Sequence, residues 1–268
     1  MNTISRGKVL VFDSGMGGLT VARELQALAP ELAVDYAADS GFFPYGDKSD
    51  ELLRMRLPQV AKALCQVVRP DAFVIACNTA STLALEEVRA VLDIPVVGTV
   101  PAIKPAAAIT RTGTIGLLAT PGTIRRAYTK RLIDEFASDV RVILHGSVAL
   151  VRMAEQIASG EAIALEAFRE VHAPLFAAEG GREIDVIVLA CTHFPLVRGE
   201  LAASMPHPVT FVDSGEAIAR QTLRVLPARP RNMQMGGNVW LTSPPQEQRR
   251  LIEVCRRFAY TEVEHIAV

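Results

Sequence analysis

The chain of 268 residues is half hydrophobic, and its 28 basic and 29 acidic residues leave a net charge of −1. Its length suits one large domain or two small ones with a buried core. The balanced charge gives no support for nucleic-acid binding. No apolar run approaches the roughly 18 residues of a membrane span. The first residues lack an apolar signal segment, so we expect a cytoplasmic protein with no membrane partner.

Short apolar runs alternate with amphipathic stretches along the chain. The runs include residues 9–12, 33–37, 72–76, 96–97, 115–118, 140–144 and 186–190. The amphipathic stretches include residues 20–28, 51–68, 82–91, 123–135 and 162–176. Runs that are apolar on both faces are typical of strands buried in a parallel sheet. The alternation therefore predicts an α/β fold with helices on both sheet faces. Pro58 is expected to kink the second helix or to mark its start.

One strand and the residues after it occur twice. Residues 71–79 read DAFVIACNT and residues 185–193 read DVIVLACTH. More weakly, residues 9–20 resemble residues 115–123, since each is a strand followed by a glycine-containing turn and a helix. Two copies of one unit predict two pseudo-symmetric α/β lobes with mainly parallel sheets. Chance recurrence of strand, turn and helix is the alternative explanation.

Polar clusters follow four of the predicted strands. They are Asp13-Ser14-Gly15, Cys77-Asn78-Thr79, Thr120-Pro121-Gly122-Thr123 and Cys191-Thr192-His193. Open α/β sheets bind ligands at the carboxyl ends of their strands. Hydroxyls and the N–H groups of helix starts suit a carboxylate ligand, although ordinary helix capping uses the same residue types. A fifth cluster, Pro44-Tyr45-Gly46, either covers the ligand cleft or forms a plain turn.

The four cysteines fall into two groups. Cys65 and Cys255 lie in helical patterns and are expected to be core side chains rather than disulfide partners. Cys77 and Cys191 each end a predicted strand just before a predicted helix, whose dipole favours a thiolate. Racemisation needs a base on one face of Cα and an acid on the other. Two thiols that exchange these roles would serve it without pyridoxal phosphate or a metal.

Other roles for these residues stay open on chemistry alone. A buried Cys or His at a strand end is commonly structural. Cys77, Cys191 and His193 could bind zinc, although a close Cys-x-x-Cys pair and a fourth ligand are missing. Cys191 and His193 could form the nucleophile and base of a thiol hydrolase, which leaves Cys77 without a role. The glycines of residues 15–18, with Asp39 after the next strand, match a dinucleotide-binding loop only weakly.

Six segments resemble the glutamate racemases of the aspartate/glutamate racemase superfamily, in the family's order. They are residues 11–21, 43–46, 75–81, 116–123, 189–196 and 211–215. The resemblance implies two domains, residues 1–98 with 209–268 and residues 99–208, and an active site in the cleft between them. It also implies a homodimer that interconverts L- and D-glutamate and supplies D-glutamate for peptidoglycan. No cofactor and no metal are expected.

The resemblance also assigns roles to individual residues. It implies that Cys77 deprotonates the D-enantiomer and Cys191 the L-enantiomer, while Asp13, His193 and Glu155 assist proton transfer. The alternative for Glu155 is a solvated charge on a helix face. The substrate-binding residues that the resemblance implies are Asp13, Ser14, Tyr45, Gly46, Asn78, Thr79, Thr120, Thr192 and His193.

Two departures from the family pattern and three rival functions accompany this resemblance. Ala190 precedes the second cysteine where many relatives have Gly, and residues 146–149 differ from the commoner pattern. Racemisation of aspartate is the nearest rival function. A thiol hydrolase acting on an amide or ester is the rival enzyme, and a binding protein without turnover is the non-enzymatic alternative.

Overall fold

The computed structural model describes residues 4–230 and 237–268. By its internal contacts the chain divides into two compact units, Met1–Thr99 with Gly215–Val268 and Val100–Ser214. The strands are β1 (Ile4–Arg6), β2 (Lys8–Asp13), β3 (Ala33–Ala38), β4 (Ala72–Ile75), β5 (Val96–Gly98), β6 (Thr114–Ala119), β7 (Arg141–Gly146), β8 (Val186–Ala190), β9 (Thr210–Val212), β10 (Ala228–Pro230), β11 (Asn238–Leu241) and β12 (Glu262–His265). The helices are α1 (Leu19–Leu28), α2 (Asp50–Val68), α3 (Asn78–Arg89), α4 (Ile103–Ile109), α5 (Pro121–Arg125), α6 (Ala127–Phe136), α7 (Val148–Ala158), α8 (Leu165–Ala177), α9 (Arg198–Ser204), α10 (Gly215–Val225) and α11 (Arg249–Arg257). Among residues 4–230 and 237–268, no helix combines the length and apolarity needed to cross a membrane.

The first unit is built on a six-stranded parallel sheet in the order β12-β11-β3-β2-β4-β5. Its central strands are buried on both faces, as continuous apolar runs predict. Phe12 of β2 stacks on Phe73 of β4 with ring centroids 5.6 Å apart. Leu57, Val60 and Leu64 of α2 complete the same core cluster. A separate antiparallel pair joins β1 and β10.

The second unit repeats four strands of the first. Its parallel sheet has the order β7-β6-β8-β9, which matches β3-β2-β4-β5 strand for strand. The pairing of Phe12 with Ile75 corresponds to the pairing of Leu118 with Leu189. These two sheets with their helices confirm the predicted pair of α/β lobes with parallel sheets. The edge strand β7 is only partly buried, because it has a neighbouring strand on one side alone.

The aspartate that opens each repeated sequence has the same structural role in both units. Asp71 accepts the backbone N–H of Lys8 at 2.8 Å, where β2 begins. Asp185 accepts the hydroxyl of Thr110 at 2.6 Å and the backbone N–H of Arg111 at 2.7 Å, just before β6. These hydrogen bonds lower the pKa of Asp185, although desolvation, the largest single effect, opposes them. The two aspartates therefore hold the chain at the entry to the central strand of each sheet.

One helix prediction needs correction. Pro58 does not mark the start of α2, because the helix begins at Asp50 after Ser49, whose side chain accepts the N–H of Leu52 at 3.3 Å. The cap satisfies the first turn, and Pro58 is accommodated inside the helix. Glu155 lies on α7, a helix of the second unit.

Candidate active site

Cys77 lies where the predicted strand and helix meet. It follows β4, is the N-cap residue of α3, and is 6% exposed. Its carbonyl accepts the N–H of Ser81 at 2.9 Å, which starts the helix. The hydroxyl of Thr99 holds the end of β4 by donating to the carbonyl of Ile75 at 2.9 Å. The first N–H groups of α3 therefore lie beside Cys77, and the dipole of the helix favours a thiolate there.

Ser14 connects the Cys77 thiol to a buried carboxylate. Its Oγ lies 4.0 Å from Cys77 Sγ and donates to Asp13 Oδ1 at 3.4 Å. Asp13 is fully buried at the end of β2 and also accepts the N–H of Gly15 at 3.1 Å. A Cβ at Gly18 would lie 2.8 Å from Asp13 Cβ, so this glycine lets α1 begin close to the carboxylate. The arrangement can pass a proton from the thiol toward Asp13 through one hydroxyl.

Tyr45 lies in a short 3₁₀ turn, Tyr45–Asp47, which also contains Gly46. Its hydroxyl donates to Asp39 Oδ2 at 2.7 Å, so it is already engaged within the first unit. Burial first, then the charge and hydrogen bond of Asp39 and the interaction with Cys77, raise the pKa of Tyr45 well above its ordinary value. The phenol therefore stays protonated near the thiol.

Asn78 and Thr79 begin α3 and are almost fully buried. Within the described residues, no hydrogen-bond donor reaches the side-chain oxygen of Asn78. A buried acceptor of this kind ordinarily has a partner, so it is suited to receive a donor from a ligand.

Cys191 belongs to a different polar arrangement. It follows β8, is 7% exposed, and its Sγ lies 3.9 Å from His193 Nδ1. On the other side of the ring, His193 Nε2 lies 3.1 Å from Glu155 Oε1. Glu155 is therefore not a simple solvated charge, because its carboxylate contacts a buried histidine of the site.

The prediction of a helix directly after Cys191 is wrong. A 3₁₀ turn, Phe194–Val197, comes first, and α9 begins only at Arg198. The N–H of Phe194 donates to the Cys191 carbonyl at 3.1 Å. The buried side chains of Phe194 and Val197 stabilise this turn, which is tighter than an α-helix. The charge beside Cys191 is therefore supplied by a side chain, His193, rather than directly by a helix start.

The charge on His193 results from two opposing effects. Burial alone would lower its pKa, but hydrogen bonds with Cys191 and Glu155, together with their negative charge, raise the pKa well above its ordinary value. A protonated ring can donate to both neighbours. A positive imidazole beside a thiol favours the thiolate form.

The hydroxyls predicted at the second unit are buried. Thr120 caps α5 by accepting the N–H of Thr123 at 3.4 Å, and its Oγ1 lies 3.1 Å from Thr123 Oγ1. In the repeat it occupies the position of Ser14, since both directly follow the first strand of their sheet. Thr192 is 6% exposed beside Cys191. A substrate contact for either threonine stays a prediction.

Comparison with known proteins now places the chain in a family. The sequence profile described as Asp/Glu/Hydantoin racemase matches residues 19–222. The chain belongs to this family. It is 47% identical to the glutamate racemase of Agrobacterium fabrum over 220 residues, 82% of this chain and 81% of that protein. It is 41% identical to the glutamate racemase of Klebsiella pneumoniae over 263 residues, 97% of this chain and 92% of that protein.

Solved structures support the same family. A crystal structure of the Escherichia coli glutamate racemase, in complex with L-glutamate and the activator UDP-MurNAc-Ala, superposes with a TM-score of 0.90 at 39% identity. That match covers 98% of this chain and 99% of the other. The glutamate racemase isoform RacE1 of Bacillus anthracis gives a TM-score of 0.79 at 26% identity, covering 97% and 96% of the two chains. As a member of the Asp/Glu racemase family, the protein is a racemase, an isomerase.

The zinc and dinucleotide alternatives are not supported by the contacts of the described residues. Within the described part of the chain, no three His, Cys, Asp or Glu side chains are grouped to hold a metal ion. The Asp39 carboxylate accepts hydrogen bonds from Tyr45, Arg56 and Thr242, so it is not available to bind a ribose.

The sequence does not single out Arg56 or Thr242 as residues linked to the site. Arg56 is 17 residues from Asp39 along the chain, and Thr242 is 203 residues from it. No short motif encodes contacts over such separations. The loop sequence Pro44-Tyr45-Gly46 is the only nearby signal, and it identifies Tyr45 alone.

Proposed function

We propose that this racemase interconverts L- and D-glutamate by two-base proton transfer through Cys77 and Cys191, without a cofactor. The substrate is supported by the glutamate racemases that resemble the chain over nearly all of its length. The observation that carries the proposal is the repeat of the thiol. Cys77 follows β4 and Cys191 follows β8, which are equivalent strands of two sheets with the same order. Both thiols are buried and lie beside polar side chains.

In the direction from L to D, the Cys191 thiolate takes the Cα proton and becomes a thiol. The Cys77 thiol gives its proton to the opposite face of Cα and becomes a thiolate. The resting contacts suit this direction, because the protonated His193 ring can donate a hydrogen bond to Cys191 Sγ. Ser14 can accept the Cys77 S–H while it donates to Asp13.

In the direction from D to L, the two thiols exchange roles. Cys77 must then be the thiolate, which the N-terminus of α3 stabilises. Asp13, two hydrogen bonds away through Ser14, can accept the proton that Cys77 releases. His193 can restore a proton to Cys191, with Glu155 balancing its charge. We propose these three residues as the groups that assist each half-reaction.

The substrate is held by the polar residues around the two thiols in this proposal. The unpaired oxygen of Asn78 would accept from the substrate ammonium group. Buried hydroxyls and the N–H groups at the start of α3 suit the carboxylates. The proposed substrate-binding residues are Asp13, Ser14, Tyr45, Gly46, Asn78, Thr79, Thr120, Thr192 and His193. We also propose that each compact unit is a domain supplying one thiol, and that the D-glutamate serves peptidoglycan synthesis. The homodimer stays a prediction.

The test is incubation of L-glutamate with the protein in deuterated water, followed by separation of the enantiomers. We expect D-glutamate carrying deuterium at Cα. Replacement of Cys77 or Cys191 by Ala should abolish racemisation, since each direction of the reaction needs both thiols. Near-full activity in Cys77→Ala would contradict the mechanism.

Matched controls come from the other two cysteines. Burial raises the pKa of both Cys65 and Cys255 to about 12, and neither belongs to the proposed site. Cys65→Ala and Cys255→Ala should therefore racemise like the parent once folded. Faster turnover of aspartate than of glutamate would favour the rival substrate.

The thiol hydrolase is the alternative that one observation favours, because Cys191, His193 and Glu155 form a nucleophile, base and carboxylate chain. It predicts a covalent acyl adduct on Cys191, detected by mass spectrometry, and no exchange of the Cα proton. Deuterium at Cα without such an adduct would exclude it.

A further inference from the structure

Asp39 is a fully buried carboxylate beside the proposed site, and the mechanism above gives it no role. It directly follows β3, and its backbone N–H donates to the Asp13 carbonyl at 2.9 Å. Its Oδ2 accepts the Tyr45 hydroxyl at 2.7 Å and Arg56 Nε at 3.2 Å. Its Oδ1 accepts Arg56 Nη2 at 2.8 Å and the Thr242 hydroxyl at 2.6 Å. Four side-chain hydrogen bonds thus satisfy a charge that burial would otherwise make costly.

These contacts hold the loop between β3 and α2 at both ends. Asp39 lies at the start of the loop, and Arg56 lies in the second turn of α2. The Arg56 guanidinium is also over the Phe42 ring, 5.2 Å from its centroid, and donates to the Val268 carbonyl at 2.9 Å. Thr242, which follows β11, adds a third element to the network. This ion pair therefore fixes the loop in addition to the apolar core that Tyr45 and Phe42 contact.

Tyr45 is where this network reaches the thiol. Its side chain is 1% exposed, and its hydroxyl is committed to Asp39. Tyr45 and Cys77 belong to the same core cluster of buried side chains, and the 3₁₀ turn that carries Tyr45 packs against α3. Because the hydroxyl donates to Asp39, Tyr45 is held in place and is not available as a proton donor to the thiol.

We infer that Asp39, Arg56 and Thr242 are positioning residues for the Cys77 proton-transfer step, acting through Tyr45. The inference rests on the proposed function, since it concerns one of its two half-reactions. Asp39→Asn replaces one acceptor oxygen with an NH₂ group that must face a donor. It also removes the charge that Arg56 pairs with. Tyr45 then loses its fixed place beside the thiol, and Cys77 transfers its proton more slowly.

A direction-specific measurement tests this. L- and D-glutamate have equal free energies, so kcat/KM must stay equal in both directions for every variant and cannot locate a defect. The fate of solvent deuterium can locate it. Starting from L-glutamate in deuterated water, a slower Cys77 step lengthens the lifetime of the deprotonated intermediate. The Cys191 S–H, which carries the proton taken from Cα, then exchanges with solvent more often and returns deuterium to the L side. The ratio of Cα deuterium in recovered L-glutamate to that in the D product should rise about tenfold in Asp39→Asn, the scale of one lost charged hydrogen bond. Starting from D-glutamate, the corresponding ratio should not rise.

Asp35→Asn is the matched control. Asp35 is a second buried carboxylate on β3, and it accepts the N–H of Asn238 and the indole N–H of Trp240, each at 3.1 Å. It should leave both deuterium ratios as in the parent, even where it lowers stability. Thr242→Val is the milder variant of the network, and it should raise the ratio from L-glutamate in the same direction by less.

The outcomes separate the inference from the function. A parent protein that places no deuterium at Cα would overturn the proposed function and this inference together. An active parent with unchanged ratios in folded Asp39→Asn or, where that variant does not fold, in Thr242→Val would overturn the positioning role alone. An equal rise in Asp35→Asn would also overturn it, because the effect would then follow from general destabilisation.

Discussion

Glu155→Gln tests whether the second unit prepares its thiol through a charged histidine. The Glu155 carboxylate lies 3.1 Å from His193 Nε2, and their side chains are 24% and 3% exposed. A hydrogen bond between charged groups contributes about 1.5–3 kcal/mol. Because Glu155 is partly exposed to water, which screens its charge, the lower end of this range applies. A loss of about 1.5 kcal/mol of stabilisation lowers kcat/KM about tenfold.

The assay is kcat/KM for both enantiomers at neutral pH, followed by circular dichroism of glutamate. The loss should be the same from either side, because the two enantiomers have equal free energies. Glutamine keeps the shape of the side chain and removes its charge, so the pKa of His193 should fall towards its ordinary value. The titration of the His193 ring, followed by NMR, measures that fall directly.

Glu166→Gln is the matched control, since Glu166 pairs with Arg169 on the exposed face of α8. It should change neither the activity nor the titration of His193. The reasoning would be refuted by a folded Glu155→Gln protein with the kcat/KM of the parent. It would equally be refuted by a tenfold loss with the titration of His193 unchanged, since the histidine would then not carry the effect.

Three further predictions concern stability and thiol reactivity. In the parent, His193 contributes stability that is fully present below the ordinary histidine pKa of about 6.5 and is lost as pH rises through its raised folded pKa. His193→Gln should lack this contribution. Urea unfolding at several pH values should therefore show the difference in unfolding free energy between the two proteins decreasing at high pH. Cys65 and Cys255, whose pKa values burial raises to about 12, should stay unmodified by iodoacetamide at pH 8 in the folded protein, as peptide mapping would show. Phe73→Ala should cost about 3–5 kcal/mol in denaturant unfolding, since it empties a fully buried position against Phe12; a loss below about 1 kcal/mol would mean that the core collapses around the gap.

The parts of the site that follow strands were predictable from the sequence. Buried parallel strands appear in the sequence as apolar runs, and such runs end abruptly at polar residues. Asp13, Cys77 and Cys191 were therefore recognisable as residues at the ends of strands. The repeat of residues 71–79 at 185–193 also predicted two like units, and the matching strand orders bear this out.

The sequence was less informative where contacts are not local. The helix expected directly after Cys191 is displaced by a 3₁₀ turn, because the burial of Phe194 and Val197 selects a tighter backbone than the local pattern does. Glu155 meets His193 only because α7 packs against the turn after β8. Nothing in the spacing of those residues requires this contact.

By itself, then, the sequence determined the α/β class, the repeated unit and the two candidate thiols, since periodicity and strand ends are set by neighbours along the chain. The family followed from the resemblance of six short segments. Only the tertiary structure decided which charges meet. Asp39 reaches Thr242 because β11 pairs with β3, and the order of strands in a sheet is selected by many weak contacts across the whole unit. The electrostatic difference between the two thiols, a carboxylate reached through Ser14 on one side and a charged histidine on the other, arises at that level.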